Sequence, residues 1–159
     1  MPDRLECRHQ ENIMQAKEYL RQYKGIVTKI RLLEEDILAL EASIGSAPAP
    51  KDKDMPHTPS TRNTTEDMLV TLIDLKRDKE KLLHKAQLKR AEISGTIEAL
   101  AHTSDPNAAT YMTLLYDKYL KLMKWDEVAA DLNFGEVYTR GALHGKALQA
   151  ITPLIPVRK

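Results

Sequence analysis

The sequence predicts an all-α protein: a long antiparallel helical hairpin or coiled coil, followed by a C-terminal helix-turn-helix bundle. Three observations predict it. Apolar residues recur in alternating steps of three and four along two long stretches. Aromatics make up only 5% of the chain and glycines number 6, too few for the aromatic strands and glycine turns of sandwiches and barrels. Strong helix formers (Ala, Leu, Lys and Glu) are abundant. A length of 159 residues suits one domain, or one small domain with an extension.

The first helix is predicted from about His9 to Ile44. Ala16, Tyr19, Tyr23, Ile26, Ile30, Leu33, Ile37, Leu40 and Ile44 form an unbroken a/d seam, the pattern of a coiled coil. Leu20 and Val27 broaden the stripe, while Glu18, Arg21, Lys24, Lys29, Glu34, Glu35 and Glu41 keep the other faces charged. Gly25 is a weak point of about 1 kcal/mol, and Gly45 is an expected C-terminal stop. From 45 to 63 the pattern vanishes. Pro48, Pro50, Pro56 and Pro59 among Ser, Thr, Lys and Asp mark a flexible linker.

The second helix starts near Thr64, whose spacing to Asp67 resembles a capping box. Met68, Leu72, Leu75, Leu82, Ala86, Ile93, Ile97 and Leu100 form its seam, with Lys79 and Lys89 at core-spaced positions. The hairpin thus spans 9–102 and leaves intermolecular pairing as the competing arrangement. The basic run from Lys76 to Arg90 reads as a solvated helix face, with an extra DNA or RNA-polymerase contact surface as the alternative.

Thr103-Ser104-Asp105-Pro106 breaks that helix, and a second domain follows over 106–152, with a tail over 153–159. Its first helix is predicted from Asn107 to Leu122, inward through Met112, Leu115, Tyr119 and Leu122. Its second runs from Trp125 to Leu132, inward through Trp125, Val128, Ala129 and Leu132. After the turn Asn133-Phe134-Gly135, which Leu132 and Phe134 should seal, a third runs from Glu136 to Ile151 on Leu143, Ala147, Leu148 and Ile151. Pro153 and Pro156 are expected to end regular structure. A short helix, a three-residue turn and a longer helix make a helix-turn-helix outline, with the small Ala129 where the two helices approach.

Charge sharpens the outline. From Val137 to Lys159 there is no carboxylate, whereas Arg140, Lys146, Arg158 and Lys159 are basic and His144 could add charge. A helix that enters the major groove faces phosphates and excludes acids. Arg140 lies in the half of the helix that reaches base edges. Tyr138 and Thr139 suit phosphate or a thymine methyl, Gly141 is grouped with Tyr138 and Arg140 as a base contact, and Lys146 suits phosphate. The candidate DNA-binding residues are therefore Tyr138, Thr139, Arg140, Gly141, His144 and Lys146. For His144 a helix-packing role stands level with a phosphate contact.

The stretch Leu114-Leu115-Tyr116-Asp117-Lys118-Tyr119, then Trp125 to Phe134, then Leu143-His144-Gly145-Lys146-Ala147-Leu148 resembles region four of bacterial sigma factors. The whole chain is similar to short phage and prophage proteins of Gram-positive bacteria, the late-gene transcription regulators of the ArpU and RinA type. Those pair a coiled N-terminal half and a Pro-rich break with a sigma-like helix-turn-helix ending in Leu-His-Gly-x-Ala-Leu. The resemblance covers about 10–151 and is most specific over 111–148. It implies double-stranded DNA as partner, contact with host RNA polymerase, self-association through the coiled coil, and work in the cytoplasm of the bacterial host. This chain departs from the pattern twice. Gly135 stands where Ser or Thr usually caps the recognition helix, and one extra residue lies between Phe134 and the Leu-His-Gly motif.

Other classes find little support. One cysteine, Cys7, excludes an internal disulfide framework and a Cys-based zinc site. No apolar run reaches the ~18 residues of a membrane helix, and the N-terminus lacks a signal-peptide core. The acidic pairs Glu34-Glu35 and Asp126-Glu127 have no histidine at useful spacing, and there is no phosphate loop. The chain is expected to be neither an enzyme nor the holder of a cofactor. The competing readings are a terminase small subunit-like DNA-packaging protein, in which the DNA-binding part more often comes first, and a coiled-coil protein whose degenerate helix-turn-helix binds a host protein.

Overall fold

The computed structural model describes residues 4–46 and 64–157, and among them every regular element is helical. α1 runs Arg4–Gly45. α2 runs Thr64–Glu98 and tightens into a 3₁₀ turn over Ala99–His102. α3, Ala108–Leu115, widens into a π turn over Tyr116–Leu120. α4 is Trp125–Leu132. α5, Glu136–Tyr138, passes through a second π turn, Thr139–Leu143, into α6, His144–Ile151, and a 3₁₀ turn closes at Thr152–Leu154. None of these helices is long and apolar enough to cross a membrane. The expected linker, beyond Gly45 and Ser46, lies outside the described residues, as do Arg158 and Lys159.

The chain divides into two compact units, one of residues 26–85 and one of residues 1–25 with 86–159. In the first, the arms of α1 and α2 run antiparallel. Lys76 Nζ lies 2.8 Å from Glu41 and Lys79 Nζ 3.0 Å from Glu34, so position rises on one arm as it falls on the other. The seam is oriented as its heptads require: Ile26, Ile30 and Ile37 are buried. Leu33, Leu40 and Ile44 face Met68, Leu72, Leu75 and Leu82 half-buried. Lys79 holds a seam position by leaning its stem inward and its ammonium out to Glu34.

The second unit is a layered bundle. Ala16, Tyr19 and Leu20 of α1 and Ile93, Ile97 and Leu100 of α2 share one core with α3, α4 and α6. The Tyr19 hydroxyl lies 2.8 Å from Thr96 Oγ1, which fixes the two long helices against each other there. α3 supplies Tyr111, Leu114 and Leu115, and α6 supplies Ala147, Leu148 and Ile151.

α1 ends at Gly45, the expected stop. Two other endings differ from expectation. Pro153 sits inside the last 3₁₀ turn as its second residue, in the first turn, where the N–H groups have no intrahelical partner. α3 regular structure ends at Leu120, and Leu122 takes φ 58°. The Met123 N–H then bonds back to the Asp117 carbonyl at 3.0 Å, a helix stop widened by the residue that the π turn adds.

Candidate nucleic-acid interface

The helix-turn-helix is built from α4, a tight turn and the α5–α6 helix. At the start of α4, Glu127 Oε2 accepts the Lys124 N–H at 2.7 Å. Asp126 and Glu127 place negative charge at the positive end of the helix dipole. At its end Asn133 adopts φ 57°, a conformation Asn tolerates better than most residues. The Phe134 N–H then reaches the Ala129 carbonyl at 3.0 Å. Ala129 is buried at 3% exposure, so a larger side chain would push the two helices apart.

Phe134 does not seal the turn. It is 45% exposed, and its ring packs edge-on against Tyr138 with centroids 5.5 Å apart. Leu132 alone covers the core from that side.

Gly135 provides an extended N-cap without a side chain. Its carbonyl instead accepts both the Thr139 N–H at 3.0 Å and the Thr139 hydroxyl at 2.9 Å. Thr139 is fully buried, and its place in the DNA-facing set is corrected: the hydroxyl ties down the first turn of the helix. The π turn over Thr139–Leu143 gives the helix one residue more than a regular α turn before Leu143-His144-Gly145. An α-helix with one residue too many keeps its downstream face in register by widening one turn. Leu143, Ala147, Leu148 and Ile151 accordingly all remain in the core.

His144 is also corrected. It is buried at 7% exposure, with Nε2 2.7 Å from the Tyr119 hydroxyl. Its ring stacks on Tyr119 and meets Trp125 edge-on at 4.7 Å. Burial, reinforced by Lys17, Lys118 and Arg21, pushes its pKa down to about 4. Burial pushes the Tyr119 hydroxyl up to about 12. Both are neutral near pH 7, and His144 serves packing rather than phosphate. The sequence places Tyr119 inside but leaves His144 level between packing and a phosphate contact, because a histidine does not signal burial by itself.

Tyr138, Arg140, Gly141 and Lys146 are exposed. Val137, which sequence reasoning passed over, is the most exposed large apolar side chain in this helix at 86%. Together with Phe134 and Tyr138 it forms an apolar edge before Arg140. Glu136 is the only carboxylate between Gly135 and Val157, and it stands at the helix N-terminus.

The buried Asp117 was not foreseen either. It is 1% exposed, with Oδ1 2.8 Å from Lys121 Nζ and Oδ2 without a hydrogen-bond partner. Burial raises its pKa against the pull of Lys121, and the neighbouring Asp131 raises it further. Among the described residues no group of three His, Cys, Asp or Glu could hold a metal ion. No family model, curated protein or solved structure matches the chain.

Proposed function

We propose that this chain is a DNA-binding transcription regulator, not an enzyme, that lays the α5–α6 helix in the major groove. The observation that carries this reading is the second helix of a helix-turn-helix outline, which exposes Arg140 and Lys146 and has no carboxylate beyond Glu136. Arg140 fits a guanine edge, Val137 and Tyr138 fit thymine methyls and sugar, and Lys146 fits phosphate. Activation of phage late genes in a bacterial host, with contact to RNA polymerase, belongs to the same proposal and is supported by the sequence resemblance alone.

One such module binds weakly, and two half-sites need two copies. In this reading the second copy docks on the hairpin unit of residues 26–85. Leu38, Leu69, Ile73 and Leu83 are exposed, and each follows a seam residue by one position, which puts them on one side. Leu38 and Leu83 line one groove with Glu34, Glu41, Lys76 and Lys79. The α1 edge of that groove carries Glu34 and Glu41, and the α2 edge carries Lys76 and Lys79 with one acid, Glu80, so the α2 edge is basic on balance. A two-fold axis parallel to the helices lays each acidic edge on the partner's basic one, while the perpendicular axis would stack acid on acid.

The test is fluorescence anisotropy with duplexes selected from a random library, across a salt series. A preferred sequence whose affinity falls steeply with salt, and is lost in Arg140→Ala/Lys146→Ala, is expected. A folded protein with no binding above background at low salt overturns the reading. Sedimentation velocity should show a dimer that Leu38→Asp/Ile73→Asp dissociates. A monomer at ~100 μM removes the second copy.

A further inference from the structure

Among the described residues, Asp117 Oδ2 is the buried side-chain oxygen left without a hydrogen-bond partner. The carboxyl is 1% exposed, and its other oxygen, Oδ1, meets Lys121 Nζ at 2.8 Å. Lys121 is half-exposed, so water shares its charge and it offsets only part of the burial. An ionised oxygen kept out of water with nothing to bond is costly, and such an oxygen in a folded core calls for a physical reason.

The reason lies across the contact with α4. The π turn that holds Asp117 packs against α4. That contact brings the Asp131 carboxyl within hydrogen-bonding reach of Asp117. Asp131 is exposed and stands in the last turn of α4, two residues before the left-handed Asn133. Two ionised carboxylates cannot bond each other, because both only accept. With one proton the same geometry holds a donor and an acceptor. Asp117 Oδ2 then carries the O–H, and Asp131 keeps its negative charge toward water.

The neighbouring charges leave the pair to itself. Burial and Asp131 both favour a proton on Asp117, and Lys121 opposes them. Glu127, one turn earlier on α4, accepts the Lys124 N–H. Arg90 of α2 reaches the Tyr116 hydroxyl at 3.2 Å. His144 meets Trp125 at the opposite end of α4.

We propose that Asp117 and Asp131 share one proton, and that this proton latches α4, the first helix of the helix-turn-helix, onto α3. Loss of the proton to solvent sets two negative charges against each other across the contact, one of them buried. α4 then loosens at the end that leads into Asn133-Phe134-Gly135, while Tyr111, Leu114 and Leu115 keep α3 in the core. The proton is held more tightly in the folded chain than in the unfolded one. The latch is therefore complete in acid and is lost as pH rises through the upper titration of the pair. It acts whatever the α5–α6 helix binds.

Carboxyl-carbon NMR of the full chain, from acid to alkaline pH, reads the pair directly. Asp117 and Asp131 should each titrate in two steps, one above and one below the ordinary 3.8 of an aspartate, because each senses the other's proton. Asp131→Asn places an amide donor against an ionised Asp117, and should leave Asp117 a single step at lower pH. Asp117→Asn replaces the shared O–H with an amide donor of the same shape, so the latch should persist at every pH.

Amide hydrogen exchange over residues 128–132 reads the latch itself. At one pH above the upper step, these amides should exchange about tenfold faster in wild type than in Asp117→Asn. Comparison at a single pH cancels the titration of His144. Single independent steps for the two aspartates, each unmoved by replacement of the other, overturn the proposal. Equal exchange in wild type and Asp117→Asn above the upper step overturns it as well.

Discussion

α1 and α2 pass through both units, yet the same pair of helices buries its side chains to different depths. In the bundle unit Leu20, Ile93, Ile97, Leu100, Leu114, Leu115, Leu148 and Ile151 are all below 2% exposed. In the hairpin unit the most buried described residues, Ile26, Ile30 and Ile37, each keep 7%. On the α2 arm between Thr64 and Lys85 no residue is buried. Two helices cover one stripe each and leave its rims open, and a further layer is needed to close them. In the bundle α3, α4 and α6 are that layer. The hairpin relies on ion pairs at its rims, and half-exposed pairs such as Lys76–Glu41 contribute only about 0.2–1 kcal/mol.

The sharpest way to break this comparison is a matched pair of truncations followed by urea unfolding. Leu148→Ala should cost about 3–5 kcal/mol, since Leu148 is surrounded on all sides. Leu72→Ala in the half-buried hairpin seam should cost about 1–2 kcal/mol. Equal losses would mean that the hairpin core is closed as tightly as the bundle.

Acid should separate the bundle next. The pKa of His144 is lowered to about 4 in the folded protein, below the ordinary 6.5 of the unfolded chain. Between those values the unfolded state takes up a proton that the folded state refuses. Stability from this group is therefore full above pH 6.5 and is lost as pH falls toward 4, by roughly 3 kcal/mol at most. Asp117, raised by burial, acts in the opposite sense as it protonates. The His144 contribution is the difference between wild type and His144→Gln in thermal melts across that range. Parallel pH curves for the two proteins would refute it.

Smaller effects sharpen the contrast. Thr139→Val keeps the volume and removes the 2.9 Å bond to the Gly135 carbonyl, and should cost about 1 kcal/mol in the bundle. Lys79→Leu, at a seam position of the hairpin, should gain up to about 1 kcal/mol, read as a higher melting temperature of the helical signal. A loss there would show that the pair with Glu34 outweighs seam burial.

These residues also mark where the sequence could be read and where it could not. The long helices were legible because α1 carries an uninterrupted three-four alternation and α2 one broken only by Lys79 and Lys89 and one four-four step, and α4 was legible to its ends because Trp125, Val128, Ala129 and Leu132 share one face. Asp117, Thr139 and His144 were not, because a polar residue enters a core only through tertiary bonds that no local period encodes. The π turn was not legible either, because no local period marks where a helix takes in one residue more than an α turn holds.

That extra residue separates what the helix is anchored by from what it displays. Side chains advance about 100° per residue along a helix. An insertion in a rigid rod would therefore swing either its anchors or its outward face by that angle. Here the widened turn between Thr139 and Leu143 takes up the difference. Leu143, Ala147 and Leu148 stay seated while Tyr138 and Arg140 hold a setting of their own. Gain or loss of one residue in this turn re-aims the outward half of the helix like the slide of a vernier, and the same bundle can be retuned to a new target without repacking its core.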